Sequence, residues 1–195
     1  MAGEKYIVTK EKFESGFTYK QYIDQIKVNK DRFDMFYESG KLESEDEVFF
    51  QNAKKLPSGI KKLMIIGEDW CPDVFRGMPV FARIAEAANL ETRIFPRDEN
   101  LDMMNEFLKN GEFMSIPVAV FYDENMEEIA RWIERPEIGY TQSNEVMAKI
   151  EKEMAEADEQ DKRKAIREQH YALYPSWQKE TVVEVKELLS RKLNI

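Results

Sequence analysis

The chain has 195 residues, a formal net charge of −9, 43% hydrophobic residues and 34% charged ones. That apolar share supports a buried core and excludes wholesale disorder, and the length fits one domain. The acidic balance, with a sequence pI near 4.9, repels phosphate backbones and gives a nucleic-acid partner no electrostatic support.

Residues 1–13 alternate charged and apolar side chains and contain no long hydrophobic run. Neither a secretory signal nor a membrane span is expected there, and a cytoplasmic location follows by default. From there to about Gly59 the pattern is helical. Tyr19, Tyr22, Ile23 and Ile26 recur at helical spacing. A second helix is expected from Ser44, where Ser44-Glu45-Asp46-Glu47 has the form of a capping box, and it ends before the turn signal Pro57-Ser58-Gly59.

The centre alternates strand and helix. Lys62 to Gly67 reads as a buried strand and Pro72 to Asn89 as a helix, with Phe75, Met78, Phe81, Ile84 and Ala88 on its apolar side. Glu91 to Phe95 is a second strand, and Leu101 to Leu108 a short helix ended by Asn110-Gly111. Val118 to Tyr122 and Glu128 to Ile133 form a hairpin around Asp123-Glu124-Asn125. This order predicts an α/β fold: a mixed sheet of four or five strands, one parallel pairing and an antiparallel edge, with helices on both faces.

From Thr141 the pattern returns to helix. Val146, Ile150 and Met154 mark one stripe, and Glu156 to Glu168 reads as a solvated charged helix. Tyr171 to Trp177 reads as an aromatic connection before a last helix carrying Val182, Val183, Val185, Leu188 and Leu189. One domain over 1–195 is expected: a helical extension at 1–59, a core at 60–140 and a second helical extension at 141–195.

The chemistry-bearing feature is Glu68-Asp69-Trp70-Cys71-Pro72-Asp73-Val74, placed after the first strand and opening a helix. Cys71 is the only cysteine and His170 the only histidine, so no internal disulfide framework can form, and no zinc site or other metal centre is expected. No cofactor is expected either, since the ten methionines and the aromatics read as core filling. A helix N-terminus favours the thiolate and can lower a cysteine pKa from about 8.5 into the range of roughly 3.5–7.5. Asp69 and Asp73 oppose that if their carboxylates approach the sulfur, and Asp73 could instead bond the free N–H groups of the helix start. His170, in a charged helix, reads as a surface or packing residue. Arg97 and Asp98 read as a surface loop, although they follow a strand whose end could approach Cys71.

This segment resembles the active-site stretch of the thioredoxin superfamily, Trp-Cys-x-x-Cys, with Val74 in the position of the second cysteine. Pro79 stands where the family has its helix proline, and Ile116-Pro117 where it has a cis-proline facing the cysteine. The resemblance covers roughly Lys61 to Ile133 and looks most like a divergent bacterial branch with helical additions at both ends. It implies the thioredoxin fold, Cys71 as nucleophile, and Trp70, Asp73, Ile116 and Pro117 at the partner-binding site. The family's buried acid, six residues before the first cysteine, is replaced by Ile65, so an ordinary dithiol cycle is not expected. Glu68, in place of Thr or Ser three residues before the cysteine, departs from peroxiredoxin-like sites. Glutathione transferases place the thioredoxin-like domain first, and here a helical leader precedes it. Two expectations remain. One is a monothiol oxidoreductase acting on a protein or small-molecule thiol or disulfide, resolved by an external thiol. The other is a non-catalytic binding scaffold.

Overall fold

A computed structural model describes residues 8–195, so the reading of 1–13 as free of a signal or span lies, for residues 1–7, outside the described residues. Four strands, β1 (Lys62–Gly67), β2 (Glu91–Pro96), β3 (Val118–Tyr122) and β4 (Glu128–Ile133), form one sheet in the order β2-β1-β3-β4. β1 runs parallel to β2 and antiparallel to β3, and β3 runs antiparallel to β4. Leu63 through Ile66 are fully buried, as a strand covered on both faces requires.

The helices are α1 (Lys10–Glu14), α2 (Tyr19–Gln25), α3 (Lys30–Ser39), α4 (Ser44–Lys55), α5 (Pro72–Ala88), α6 (Leu101–Met104), α7 (Glu137–Glu153) and α8 (Glu159–Leu193). Helix α5 is the hub. Helices α3, α4 and α8 pack on it, and α5 in turn lies on β1 and β2. Side chains on β4 show how the two faces divide. Trp132 packs on Phe81 of α5 with ring centroids 5.3 Å apart, while the next residue back, Arg131, lies 4.8 Å from the Phe107 ring just after α6. Successive strand residues point to opposite faces, so α5 covers one face and the α6 segment the other.

Local chemistry sets the helix ends. The capping box forms at Thr18, whose hydroxyl accepts from the Gln21 amide while the Gln21 side chain accepts from the Thr18 amide. The box expected at Ser44 does not form. Ser44 is already the first helical residue, and Glu43, at the cap, makes no side-chain bond. Among the described residues the leader holds four helices where sequence periodicity marked two. The short α1 and the Phe33/Phe36 helix α3 have too few apolar positions to show a clear stripe.

The aromatic stretch expected to be a connection is instead helical, in the middle of the 35-residue α8. Pro175 removes one backbone donor there. Tyr174 and Trp177, one turn apart, bury their rings around it, and Gln178 donates to the carbonyls of Phe36 and Arg76. Packing against α3 and α5 outweighs one missing hydrogen bond.

Candidate active site

Cys71 is positioned from both sides. Glu68 to Trp70 lead the chain off the end of β1, and the Cys71 amide donates to the Glu68 carbonyl at 3.2 Å. The cysteine is the extended N-cap of α5, with φ −86° and ψ 124°. Its carbonyl accepts from the amides of Val74 and Phe75 at 3.0 and 3.1 Å. Pro72 occupies the first turn, where a missing N–H matters least.

The half-buried thiol faces the loop before β3. Its Sγ donates a weak hydrogen bond to the Ile116 carbonyl at 3.9 Å, and the Ile116–Pro117 peptide is cis. Gly77, on α5, lets that loop approach: a Cβ there would stand 3.3 Å from Pro117 Cγ. The structure therefore brings Cys71, Ile116 and Pro117 together. Val74 lies fully buried beneath them, and Ile65 is buried in the sheet between Ile94 and Ala119.

Trp70 forms an exposed rim, 49% accessible. Arg97 does approach this site. Its guanidinium lies 5.0 Å from the Trp70 ring centroid and its Nη1 donates to the Met114 carbonyl at 3.5 Å. Phe113 and Met114 are also exposed, so apolar side chains continue around this edge.

Asp73 is not on the rim. It is buried, and its carboxylate accepts from Arg76 Nη2 at 2.9 Å and from Arg135 Nη2 at 2.5 Å. Arg76 is fully buried with its guanidinium 5.4 Å from the Trp177 ring, and its Nε and Nη1 have no hydrogen-bond partner. Arg135 also donates to Ser143 Oγ at 3.2 Å and lies 3.3 Å from Glu134. The Glu134 amide donates to the Pro117 carbonyl at 2.7 Å, which ties this ion cluster to the cis-proline loop.

Electrostatics at the sulfur favour the thiol. Burial pushes the Cys71 thiol up and the Asp73 carboxylate adds to it, while the N–H groups of Val74 and Asp73 and the charge of Arg135 pull the other way. The helix start is thus outweighed by burial and by its own acidic neighbour. His170 packs against Trp177 with ring centroids 5.8 Å apart. Burial, and then Arg135, hold its imidazole below the usual histidine range.

Two residues named in the sequence take places that no local pattern announced. Asp69 Oδ2 accepts from the amides of Lys27 and Val28 at 2.8 and 3.2 Å, and Asn29 Nδ2 donates to the Asp69 carbonyl at 2.8 Å. These bonds fasten the leader to the cysteine segment. Tyr22, on α2, is 1% exposed and its hydroxyl has no hydrogen-bond partner. In sequence it reads only as one member of an aromatic stripe. Among the described residues no cluster of three or more His, Cys, Asp or Glu side chains is arranged to hold a metal ion. No helix among them is long and apolar enough to cross a membrane.

Two solved structures share this architecture. A Pseudomonas aeruginosa protein of unknown function superposes with a TM-score of 0.65 at 17% identity, covering 93% of this chain and 97% of that one. An HIV epitope-scaffold protein superposes with a TM-score of 0.63 at 17% identity, covering 93% and 98%. At that identity the likeness speaks for the fold alone. None of the curated proteins matches the sequence. The family profile described as Thioredoxin matches residues 16–148, extending the resemblance from the core into the leader helices and α7. The chain belongs to the thioredoxin family.

Proposed function

We propose that the protein is a monothiol thiol–disulfide oxidoreductase that uses Cys71 with an external resolving thiol. The observation that carries this reading is the placement of the thiol at the start of α5, against the Ile116 carbonyl of the cis-proline loop and beside the exposed Trp70. An extended disulfide-bearing partner, protein or small molecule, would lie along that loop with Trp70 at its edge.

The chemistry balances without a second cysteine. The Cys71 thiolate attacks one sulfur of the partner disulfide, forming a mixed disulfide and releasing the other sulfur as a thiolate. An external thiolate then attacks the partner's sulfur of that mixed disulfide, forming a new external disulfide and returning Cys71 as thiolate. The protein ends as it began, and Val74 has no part in either step. Because the resting thiol is held protonated, the first step speeds up as pH rises.

A second reading, a binding scaffold without redox chemistry, is favoured by that same protonated thiol. The two are separated by measuring exchange between a mixed disulfide and a small thiol with the native chain and with Cys71→Ser. Loss of exchange in the variant supports the oxidoreductase. Equal rates in both leave the scaffold.

A further inference from the structure

Helix α3 begins without the cap that its first residue could supply. Asn29 is the N-cap, and an asparagine there ordinarily accepts a hydrogen bond from an amide of the first turn. Here its side chain makes no cap bond, and its backbone stands in the left-handed region at φ 58°. The side chain is turned instead to the cysteine segment, where Nδ2 donates to the Asp69 carbonyl at 2.8 Å. The Asp69 carboxylate completes the joint: one oxygen, Oδ2, accepts from the amides of Lys27 and Val28 at 2.8 and 3.2 Å. Three hydrogen bonds thus join the α2–α3 turn to a single residue two positions before the thiol. On the other flank Glu68 Oε1 accepts from the Asp98 amide at 2.7 Å, so the turn between β1 and α5 is held between the leader and the segment after β2.

We infer that Asp69 is a positioning residue for the thiol: through it the helical leader holds the Trp70–Cys71 turn so that the sulfur meets the Ile116 carbonyl. The inference rests on the exchange reading. Attack on a disulfide needs the sulfur aligned with the bond it breaks, and a small misplacement of a reacting group costs a large factor in rate. On its N-terminal side Cys71 is fixed by its own amide, which donates to the Glu68 carbonyl at 3.2 Å, a bond inside the same turn. Where that turn sits therefore depends on what Glu68 and Asp69 are fastened to. An uncommon backbone region and a forgone cap at Asn29 are what the leader gives up to make the joint, and local strain of this kind gathers at functional sites. Asp69 works through these bonds. At the sulfur, the carboxylate whose charge acts is that of Asp73, and the opposing cation is Arg135.

The test compares Asp69→Asn, whose amide oxygen can still accept from both backbone amides, with Asp69→Ala, which has no acceptor. Fully folded preparations are read in three ways: disulfide exchange with a small aromatic disulfide, Cys71 alkylation by iodoacetamide across pH, and amide hydrogen exchange over residues 68–73. In Asp69→Ala the rate of disulfide exchange is expected to fall about tenfold or more. The alkylation midpoint should stay at its native value while the amides of residues 68–73 exchange faster. Asp69→Asn is expected to restore near-native values. Should Asp69→Ala fold poorly, Asn29→Gly keeps the left-handed backbone and removes only the Nδ2 bond. It is expected to move disulfide exchange and amide protection the same way by a smaller factor. Native disulfide exchange and native amide protection in Asp69→Ala overturn the inference. So does a loss of disulfide exchange that Asp69→Asn fails to restore, or one that comes with a moved alkylation midpoint, because the carboxylate would then act by its charge. Lost amide protection in Asp69→Ala, restored in Asp69→Asn, in a protein whose native chain exchanges no disulfide supports the positioning role while refuting the oxidoreductase reading.

Discussion

Asp73→Asn separates the two roles that the Asp73 carboxylate combines, stabilising the fold and restraining the thiol. Its oxygens are held by Arg76 at 2.9 Å and Arg135 at 2.5 Å, and Arg76 is fully buried. Removing the charge leaves the buried guanidinium without its counter-ion, a loss of about 3–5 kcal/mol in comparable pairs. The asparagine oxygen still accepts one hydrogen bond, so the lower end of that range is expected. At the sulfur the sign reverses. The Asp73 carboxylate disfavours the thiolate, so losing its charge favours it. The part of the upward push on Cys71 that the Asp73 carboxylate adds is relieved. Arg135, freed from Asp73, adds to the same effect. The variant is therefore expected to be less stable in urea and to alkylate faster at pH 7, with its midpoint below that of the native chain. Equilibrium unfolding and alkylation profiles of the same preparations give both numbers. A variant that is destabilised but keeps the native alkylation midpoint would refute the account of the thiol.

Three further outcomes follow from the geometry. Val74→Cys restores the second family cysteine at a fully buried position, and under a mild oxidant the chain is expected to lose two hydrogens by intact mass, with Cys71 no longer alkylated. Gly67→Ala places a Cβ 2.8 Å from Val74 Cγ1 and 3.0 Å from Met78 Cε beneath the cysteine turn, and is expected to cost about 1–3 kcal/mol in urea denaturation. Burial and Arg135 lower the His170 pKa in the folded state, so the unfolded chain binds its proton first as pH falls. Its contribution to stability is present above the unfolded value of about 6.5 and lost as pH drops through the folded one. The midpoint temperature of His170→Gln is expected to fall less than that of the native chain between pH 7 and pH 5.

The core of the fold was legible because its signals are local. β1, β3 and β4 lie at the expected residues, and α5 begins at Pro72 as its cysteine N-cap and first-turn proline require. The isoleucine at 116 and the cysteine at 71 sit 45 residues apart in sequence, and their meeting was readable only through the family resemblance. The leader and the tail were read less well. Helix α3 buries Phe33 and Phe36 through contacts with α5 and α8 that no local pattern announces. The helical run through Pro175 depends on partners more than a hundred residues away, such as Phe36 for Gln178. The charge state of the thiol was open in sequence because it depends on burial and on Arg135, 64 residues downstream of Cys71, neither of which a motif encodes.

As proposed, Cys71 exchanges disulfides at the cis-proline loop. Its most direct test is the reaction of the folded chain with a small aromatic disulfide across pH, followed by intact mass and then by addition of a small thiol. One adduct per chain is expected, none with Cys71→Ser, with a rate that climbs with a midpoint above that of a free thiol, and full release by the added thiol. A folded protein that forms no adduct at any pH, while the same chain unfolded in urea reacts fully, would contradict it.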